Sequence, residues 1–336
     1  MSLVQQNPDS LFQEPLTDGR RTRCLLCPQL CLINPGMKGL CRSRENIDGK
    51  LVSTSYGHVA ALHIDPIEKK PLYHFLPGSH VLSVGNNGCN LKCAFCQNWS
   101  ISQVDSKTSY ISPAELLQMT LNAGTPSVAF TYAEPIVWFD YVLDCCQILH
   151  KSGIKTVLVT NGMINPEPLT MILPFVDAMN IDIKSMDPDF YRSLCHGWLD
   201  PVLETVRKVH QGCHLEITNL VIPNRNDSKE LFHQLGDFIQ KELSRKTPLH
   251  LSAYHPEFRL SEPPTSYETM KTAYSILSQY LDFVYLGNIT GAGSDTICPS
   301  CGSPAVRRSG YHLIQINLSP EGNCPVCSRA LHFILT

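Results

Sequence analysis

Between about residue 80 and residue 289 the chain alternates short apolar runs with longer amphipathic stretches. "HVLSVGN" (80–86), "SVAFTY" (127–132), "KTVLVTNG" (155–162), "VDAMNIDIK" (176–184), "HLEITNLVIP" (214–223), "PLHLSAYHP" (248–256) and "FVYLGNI" (283–289) read as strands. Helices are expected at "SPAELLQMTLNAG" (112–124), "IVWFDYVLDCCQILHKSG" (136–153), "NPEPLTMILPF" (165–175), "PVLETVRKVHQGC" (201–213), "SKELFHQLGDFIQKEL" (228–243) and "SYETMKTAYSILSQY" (266–280). The first of these opens on a Ser cap with Pro in the first turn and Glu three positions on, and it stops at Gly124. Strand and helix alternating six times predicts an α/β fold, a parallel sheet with right-handed crossovers. The span of about 210 residues is short of a full eightfold barrel, so a partial (βα)6 barrel is expected.

Polar residues of chemical interest fall at or just past the C-terminal ends of these strands: Cys89, Glu134, Asn161, Asp182, Lys184, Asn219 and His255. In parallel α/β architectures that edge carries the ligand. Any one of them alone reads as a turn residue; seven on one edge point to a site.

The flanks have a different texture. The first twenty residues are polar and read as an extended arm. "RCLLCPQLCLINPGMKGLCRSRENIDGKLV" shows little periodicity and needs a staple. "GKLVSTSYGHVAALHI" (49–64) alternates enough for a hairpin or strand pair. After the Gly-rich linker "LGNITGAGSDT" comes a short tail. The expected division is a Cys-rich extension over 1–79, the barrel over 80–290 and the tail over 291–336. His63, Lys69, His74 and Lys70 in "HIDPIEKKPLYHF" read as ordinary surface and core residues, with a partner surface for the lysines and the site mouth for the histidines as the alternative.

Composition narrows the class. The chain has 336 residues, 43% hydrophobic, with net charge −3, which suits a sizeable core and gives no basic field for nucleic acid or acidic membranes. The start lacks a basic and apolar leader, and no run of about 18 apolar residues occurs, so a cytoplasmic protein without a membrane span is expected. Fifteen cysteines in such a chain should stay reduced. Eleven fall into three groups, which suggests metals before disulfides. Cys145, Cys146, Cys195 and Cys213 lie outside them.

In the tail, Cys298, Cys301, Cys324 and Cys327 form C-x2-C-x22-C-x2-C, the pattern of a tetrahedral thiolate site for zinc, with a rubredoxin-like iron as competitor. Near the N-terminus, Cys24, Cys27, Cys31 and Cys41 form C-x2-C-x3-C-x9-C, which can hold zinc or a second [4Fe–4S] cluster. The third group is "GCNLKCAFCQNWS", with Cys89, Cys93 and Cys96. Three thiolates leave one corner of a [4Fe–4S] cube without a protein ligand, and an open position is where a substrate or cofactor binds. The competing reading is a zinc site closed by a distant ligand.

C-x3-C-x2-C with Phe95 before the last cysteine, directly after the first strand, resembles the signature of radical S-adenosylmethionine (SAM) enzymes. The resemblance implies reductive cleavage of SAM to a 5′-deoxyadenosyl radical that abstracts hydrogen, with Cys89, Cys93 and Cys96 essential. It implies that Glu134 of "TYAEP" meets the SAM ammonium, Thr160 and Asn161 of "VTNG" the ribose or carboxylate, Asp182 and Lys184 of "NIDIK" the carboxylate, and His255 of "AYHP" the adenine. Val159 stands where glycyl-radical-enzyme activases carry an Asp of a monovalent-cation site.

Longer stretches, among them "HIDPIEKKPLYHFLPGS", "DAMNIDIKSMDPDFYRSLCHG" and "VYLGNITGAGSDTICPSCG", are similar to radical SAM enzymes of the AmmeMemoRadiSam system, relatives of pyruvate formate-lyase activating enzyme with a Cys-rich N-terminus and a zinc-ribbon-like tail. That resemblance implies AMMECR-type and Memo-type proteins as partners, flavodoxin or ferredoxin as reductant, and a protein glycine or partner-presented group as hydrogen donor. Modification of RNA or a small metabolite is the second reading, with Arg307, Arg308 and Arg329 giving the tail a basic tone. A non-enzymatic zinc scaffold is the third.

Overall fold

The computed structural model describes residues 8–17, 19–289 and 294–336. Part of the expected N-terminal arm (1–7 and 18) and part of the Gly-rich linker (290–293) lie outside the described residues.

Seven parallel strands form the core of the molecule: β1 (His80–Gly85), β2 (Ser127–Phe130), β3 (Lys155–Thr160), β4 (Ala178–Asp182), β5 (His214–Val221), β6 (Leu249–Ala253) and β7 (Val284–Gly287). They pair in sequence order. The crossovers carry α1 (Pro113–Ala123), α2 (Phe139–Lys151), α3 (Pro166–Ile172), α4 (Leu199–His210), α5 (Lys229–Phe238) and α6 (Tyr267–Leu277). Local signals set the helix limits. Ser112 and Glu115 close a reciprocal capping box at α1, and Gly124 ends it in the left-handed conformation.

An eighth strand, Ala61–Pro66, joins antiparallel to β1. The sequence places it in the extension, but six residues of register tie it to the main sheet. The stretch 49–64 therefore forms no hairpin with itself. Lys50–Ser53 pairs with Arg44–Ile47, and His58–Val59 with Ser109–Tyr110. Neither is the described part of the arm free: Gln13–Pro15 pairs with Thr22–Cys24, and the Leu11 N–H donates to Asp140 of α2 at 2.9 Å. Arg44, fully buried, pairs with that same Asp140 at 2.9 Å. Leu26, Ile33 and Leu51 share one apolar cluster with the sheet and its helices.

The period of two along each strand sends Leu82, Val128, Leu158, Met179, Ile217 and Leu251 into this helix-covered core. Their neighbours face the other way. At the N-terminal end of the sheet, Val81, Ala129, Val157 and Ala178 pack against Ile67, Leu72, Phe75 and Leu76, so segment 67–76 plugs that face. Higher up the same face turns polar, with Asn180, Thr218 and Ser252. Asn180 Nδ2 donates to the Pro71 carbonyl and its Oδ1 accepts from the Thr218 hydroxyl, both at 2.8 Å.

The tail has a three-stranded antiparallel sheet, Thr296–Ile297, Pro304–Ser309 and His312–Ile316. It packs through Val306, Leu331 and Phe333 on Tyr73, Phe283 and Tyr285. Its expected basic character is neutralised. Arg308 is buried beside Glu68 (3.5 Å), Arg307 faces Asp295 (3.9 Å), and Arg329 pairs with Asp282. His74 is also far from the mouth it was offered to. Its ring stacks on Phe333, its nitrogens meet the Leu331 carbonyl and the Tyr285 hydroxyl, and burial pushes its pKa down to about 3.

Glu216 of β5 locks the plug. Its carboxylate accepts from the backbone N–H of Tyr73 (2.9 Å) and His74 (2.7 Å), and meets Nε2 of His214 (2.9 Å) and of His250 (2.6 Å). Burial pulls its pKa up, but the hydrogen bonds and charges of the two histidines outweigh it and hold the group well below the usual 4.5. An unfolded chain therefore takes up this proton at higher pH than the folded one. The stabilisation is present above about 4.5 and is lost as the pH falls. Replacing Glu216→Gln should cost about 1–3 kcal/mol at neutral pH and flatten the acid limb of stability, read as denaturation midpoints from pH 7 down to pH 3; an acid limb as steep as the parent's would contradict this role.

Candidate functional site

At the C-terminal edge of the sheet a cavity of about 520 Å³ opens, within the size range of small-molecule sites. Its walls hold Cys89, Cys93, Phe95 and Cys96 from the loop after β1, Glu134 after β2, Thr160 and Asn161 at the end of β3, and Asp182 and Lys184 at the end of β4. Nine of the eleven residues expected at this edge thus meet in one cavity. Asn219 does not line it, its Nδ2 donating to the Ile183 carbonyl at 2.8 Å, and His255 is the other exception. It is exposed, its Nε2 lies 3.2 Å from the Asn288 carbonyl oxygen, and the cavity wall there is Ser252 and Asn288 instead.

The loop is held on both flanks. Lys92 and Ala94 donate their N–H groups to the carbonyls of Cys195 and Leu194 (2.8 and 2.9 Å), inside the π turn Tyr191–Cys195. Phe95 is buried against Phe190. Gly88 precedes the first cysteine at φ +103°, and a Cβ there would lie 2.3 Å from the Cys41 carbonyl oxygen. Only glycine permits that approach.

The sulfurs sit among polar groups. The Asn161 side-chain amide donates to Cys89 Sγ at 3.6 Å and to Asn90 Oδ1 at 2.9 Å, and the Ser102 hydroxyl lies 3.1 Å from Cys96 Sγ. Burial lifts the Cys89 thiol well above its ordinary pKa. For Cys93 a hydrogen bond with the Cys195 thiol acts first and burial second. Burial likewise raises the Cys96 thiol, so a bound cation would favour the three thiolates and its binding would release their protons.

Glu134 is 2% exposed. Its Oε1 accepts from the Thr160 hydroxyl (2.6 Å) and the Ile136 N–H (3.1 Å), its Oε2 from the Asn161 N–H (2.8 Å). Burial nevertheless raises its pKa to about 7. Thr160 and Asn161, expected to reach a ligand, spend these donors on Glu134 and Cys89 and so position those groups. Across the cavity, Lys184 Nζ pairs with Asp182 Oδ2 at 2.9 Å. Burial works against the ammonium, but Asp182 holds it well above its usual value.

Several residues in or directly behind the cavity wall escaped sequence reasoning. Asp65 accepts from Lys70 (2.7 Å), Lys69 (2.9 Å) and the Tyr132 hydroxyl, and Lys70 lies 4.4 Å from the Tyr132 ring centroid. Both lysines line the cavity rather than an outer partner surface, and Lys70 is buried. The adjacent "DPIEKK" carried the signal, but nothing local shows that its strand turns this face inward. Cys195 is a second omission, brought to Cys93 only by the π turn. Tyr311 reaches the cavity from the tail.

The tail's Cys298, Cys301, Cys324 and Cys327 sulfurs all lie within 4.8 Å of one another, with the 298–327 and 301–324 pairs at 3.6 Å. Four sulfurs about 2.3 Å from a tetrahedral ion would stand about 3.8 Å apart, so this set can hold one metal ion.

Residues 84–235 match the model of the radical SAM superfamily. The chain carries a radical SAM domain over that stretch and is a radical SAM enzyme, with homology to pyruvate formate-lyase activating enzymes. An uncharacterized protein of Methanocaldococcus jannaschii is 41% identical over 335 residues, covering 97% of this chain and 99% of that one. The pyruvate formate-lyase-activating enzyme of Clostridium pasteurianum is 25% identical over 176 residues, covering 50% of this chain and 72% of its own. Among solved structures, a radical SAM methyltransferase from Sphaerobacter thermophilus covers 89% of this chain and 81% of its own, at 15% identity and a TM-score of 0.51, a likeness of fold. That domain implies a [4Fe–4S] cluster and SAM, and excludes the bare scaffold. The donor set fits: three thiols on one loop, none of them part of a single-ion cluster, face a cavity with an acid and a lysine opposite. No helix among the described residues is long and apolar enough to cross a membrane.

Changing Cys301→Ser together with Cys327→Ser should remove one metal ion per chain, counted by elemental analysis, and raise amide exchange across residues 294–336. Undiminished metal content would show that the tail binds none.

Proposed function

We propose that this enzyme is an activase-like member of the AmmeMemoRadiSam group that takes hydrogen from a partner protein, either a glycine or a group the partner presents. The observation that carries this is the convergence of the three loop thiols with Glu134 and the Asp182–Lys184 pair in one cavity. Cys89, Cys93 and Cys96 would hold the [4Fe–4S] cluster. When bound, the cluster supplies the electron that breaks a C–S bond of SAM and yields the 5′-deoxyadenosyl radical. Glu134 faces the SAM ammonium, and that positive charge would draw it back to the carboxylate that its three donors already orient. Lys184 meets the SAM carboxylate, and Asp182 keeps the lysine charged and in place.

A protein substrate is supported by the relatives' names. They include the (2S)-3-sulfopropanediol dehydratase activating enzyme of Klebsiella oxytoca and the 4-hydroxyphenylacetate decarboxylase activating enzyme of Clostridium scatologenes. RNA gains no support, because Arg307, Arg308 and Arg329 face carboxylates. A one-electron reductant such as flavodoxin or ferredoxin, AMMECR-type and Memo-type partners, zinc in the tail and a cytoplasmic setting complete the proposal. The division of labour is an N-terminal Cys-rich segment, a partial (βα)6 barrel and a zinc-ribbon-like tail.

The test is anaerobic: reduced enzyme, SAM and candidate partner proteins carrying deuterated glycine, with deuterium followed into 5′-deoxyadenosine. Transfer from the partner supports the reading, and transfer only from small molecules overturns it. Cys89→Ala, Cys93→Ala or Cys96→Ala should abolish deoxyadenosine formation. Glu134→Gln should weaken SAM binding by about 1.5–3 kcal/mol, the worth of a hydrogen bond to a charged group, measured by equilibrium dialysis. Lys184→Met should weaken it likewise, and unchanged affinity in both would remove them from the SAM site.

A further inference from the structure

The four N-terminal cysteines also converge. Cys24 at a strand end and Cys27, Cys31 and Cys41 from the segments that follow line one cavity with Arg44 and Asn90. Their sulfurs are not arranged like those of the tail. Among the described residues, the tail set is the only one in which three or more ligand atoms of His, Cys, Asp or Glu all lie within 4.8 Å. Neither the N-terminal set nor Cys89, Cys93 and Cys96 forms such a group.

The surroundings are built for negative charge. Arg44 is fully buried, its guanidinium reaches Cys24 Sγ at 3.8 Å, and its Nε has no hydrogen-bond partner. Backbone N–H groups of Gln29, Leu40 and Ser43 are directed at the thiols of Cys27, Cys31 and Cys41. Such donors stabilise a sulfur-rich cluster and tune its potential.

One residue separates this cavity from the SAM site. Asn90 follows Cys89 in the chain, and its side chain lines the cavity that holds Cys27 on one side and accepts from Asn161 at 2.9 Å on the other. Gln29 donates to the Asn90 carbonyl at 2.8 Å, and Gly88 touches Cys41.

We infer that Cys24, Cys27, Cys31 and Cys41 bind a second iron–sulfur cluster, set beside the first to pass electrons to it. The relay role rests on the proposed function; the binding site does not. A donor of the flavodoxin or ferredoxin class gives one electron to the second cluster, which gives one electron to the first. The second cluster ends as it began, and no bond of the protein forms or breaks.

The experiment uses the full chain, reconstituted anaerobically with iron and sulfide, in parent form and as the Cys89→Ala/Cys93→Ala/Cys96→Ala variant. Sulfide is counted with iron because a mononuclear tail site brings none. About eight irons in the parent and about four in the variant, each with equal sulfide, are expected for two cubes. About four in the parent and none in the variant overturns the second cluster while leaving the first intact. About four in both shows instead that the loop is empty, a failure of the proposed function alone. Zinc at the N-terminal site also overturns the inference. Proximity is read on the parent without further mutation: the fully reduced protein should give an electron paramagnetic resonance signal broadened or split relative to that of the variant. Two independent, unbroadened signals would overturn the relay.

Discussion

Everything above the floor of the sheet depends on Glu216 being a buried carboxylate with enough donors. Its four partners come from β5 itself, from β6 and from the backbone of the segment that plugs the sheet. A single acidic side chain thereby fixes where residues 67–76 lie, and so where Lys69 and Lys70 enter the cavity. The tail closes over the same point, because Arg308 donates to the Tyr73 carbonyl at 2.7 Å and lies 4.4 Å from the Tyr73 ring centroid. A buried charge left without partners is expensive, and that expense defines one arrangement of three distant segments.

The period of two along the strands then divides the labour between the faces. One face is mainly apolar and takes the helices. The other is apolar at the N-terminal ends, polar in the middle and functional at the top. Nothing along a strand other than side-chain identity changes from floor to rim. The cavity is the place where inward positions stop being Val and Ala and become Asp182, Thr218 and Ser252.

Much of this was legible because it is local. Strands and helices of the repeated units follow from hydrophobic period and caps, as at Ser112, Glu115 and Gly124. The three-cysteine loop and the residues ending β2, β3 and β4 were found because spacing and position at a strand end are properties of short stretches. What stayed hidden is long-range. Residues 49–64 look like a hairpin because alternation says that a segment is extended, not with what it pairs. Asp65 and Lys70 are an ordinary charged stretch until β1 and Tyr132 turn them inward. His255 sits at a strand end by sequence, yet its ring turns to the Asn288 carbonyl. Cys195 needed a π turn, which spacing does not announce.

The three cysteine groups also differ in a way that composition conceals. All bring thiols together, but a pair of C-x2-C knuckles on short turns pulls four sulfurs to 3.6 Å contacts in the tail. The loop after β1 and the N-terminal segment form no such compact group; hydrogen bonds to the π turn hold the first, and the Arg44–Asp140 pair and Asn90 flank the second. Sulfur spacing is thus set by the scaffold around each group before any metal arrives. Because Gly88 and Asn90 belong to the loop while Cys41 and Cys27 belong to the extension, these two groups cannot be positioned independently. Displacing the extension would move Asn90, then Asn161, and through Asn161 both Cys89 and the N–H that orients Glu134. The N-terminal segment is in that sense a support for the cavity at the C-terminal edge of the sheet.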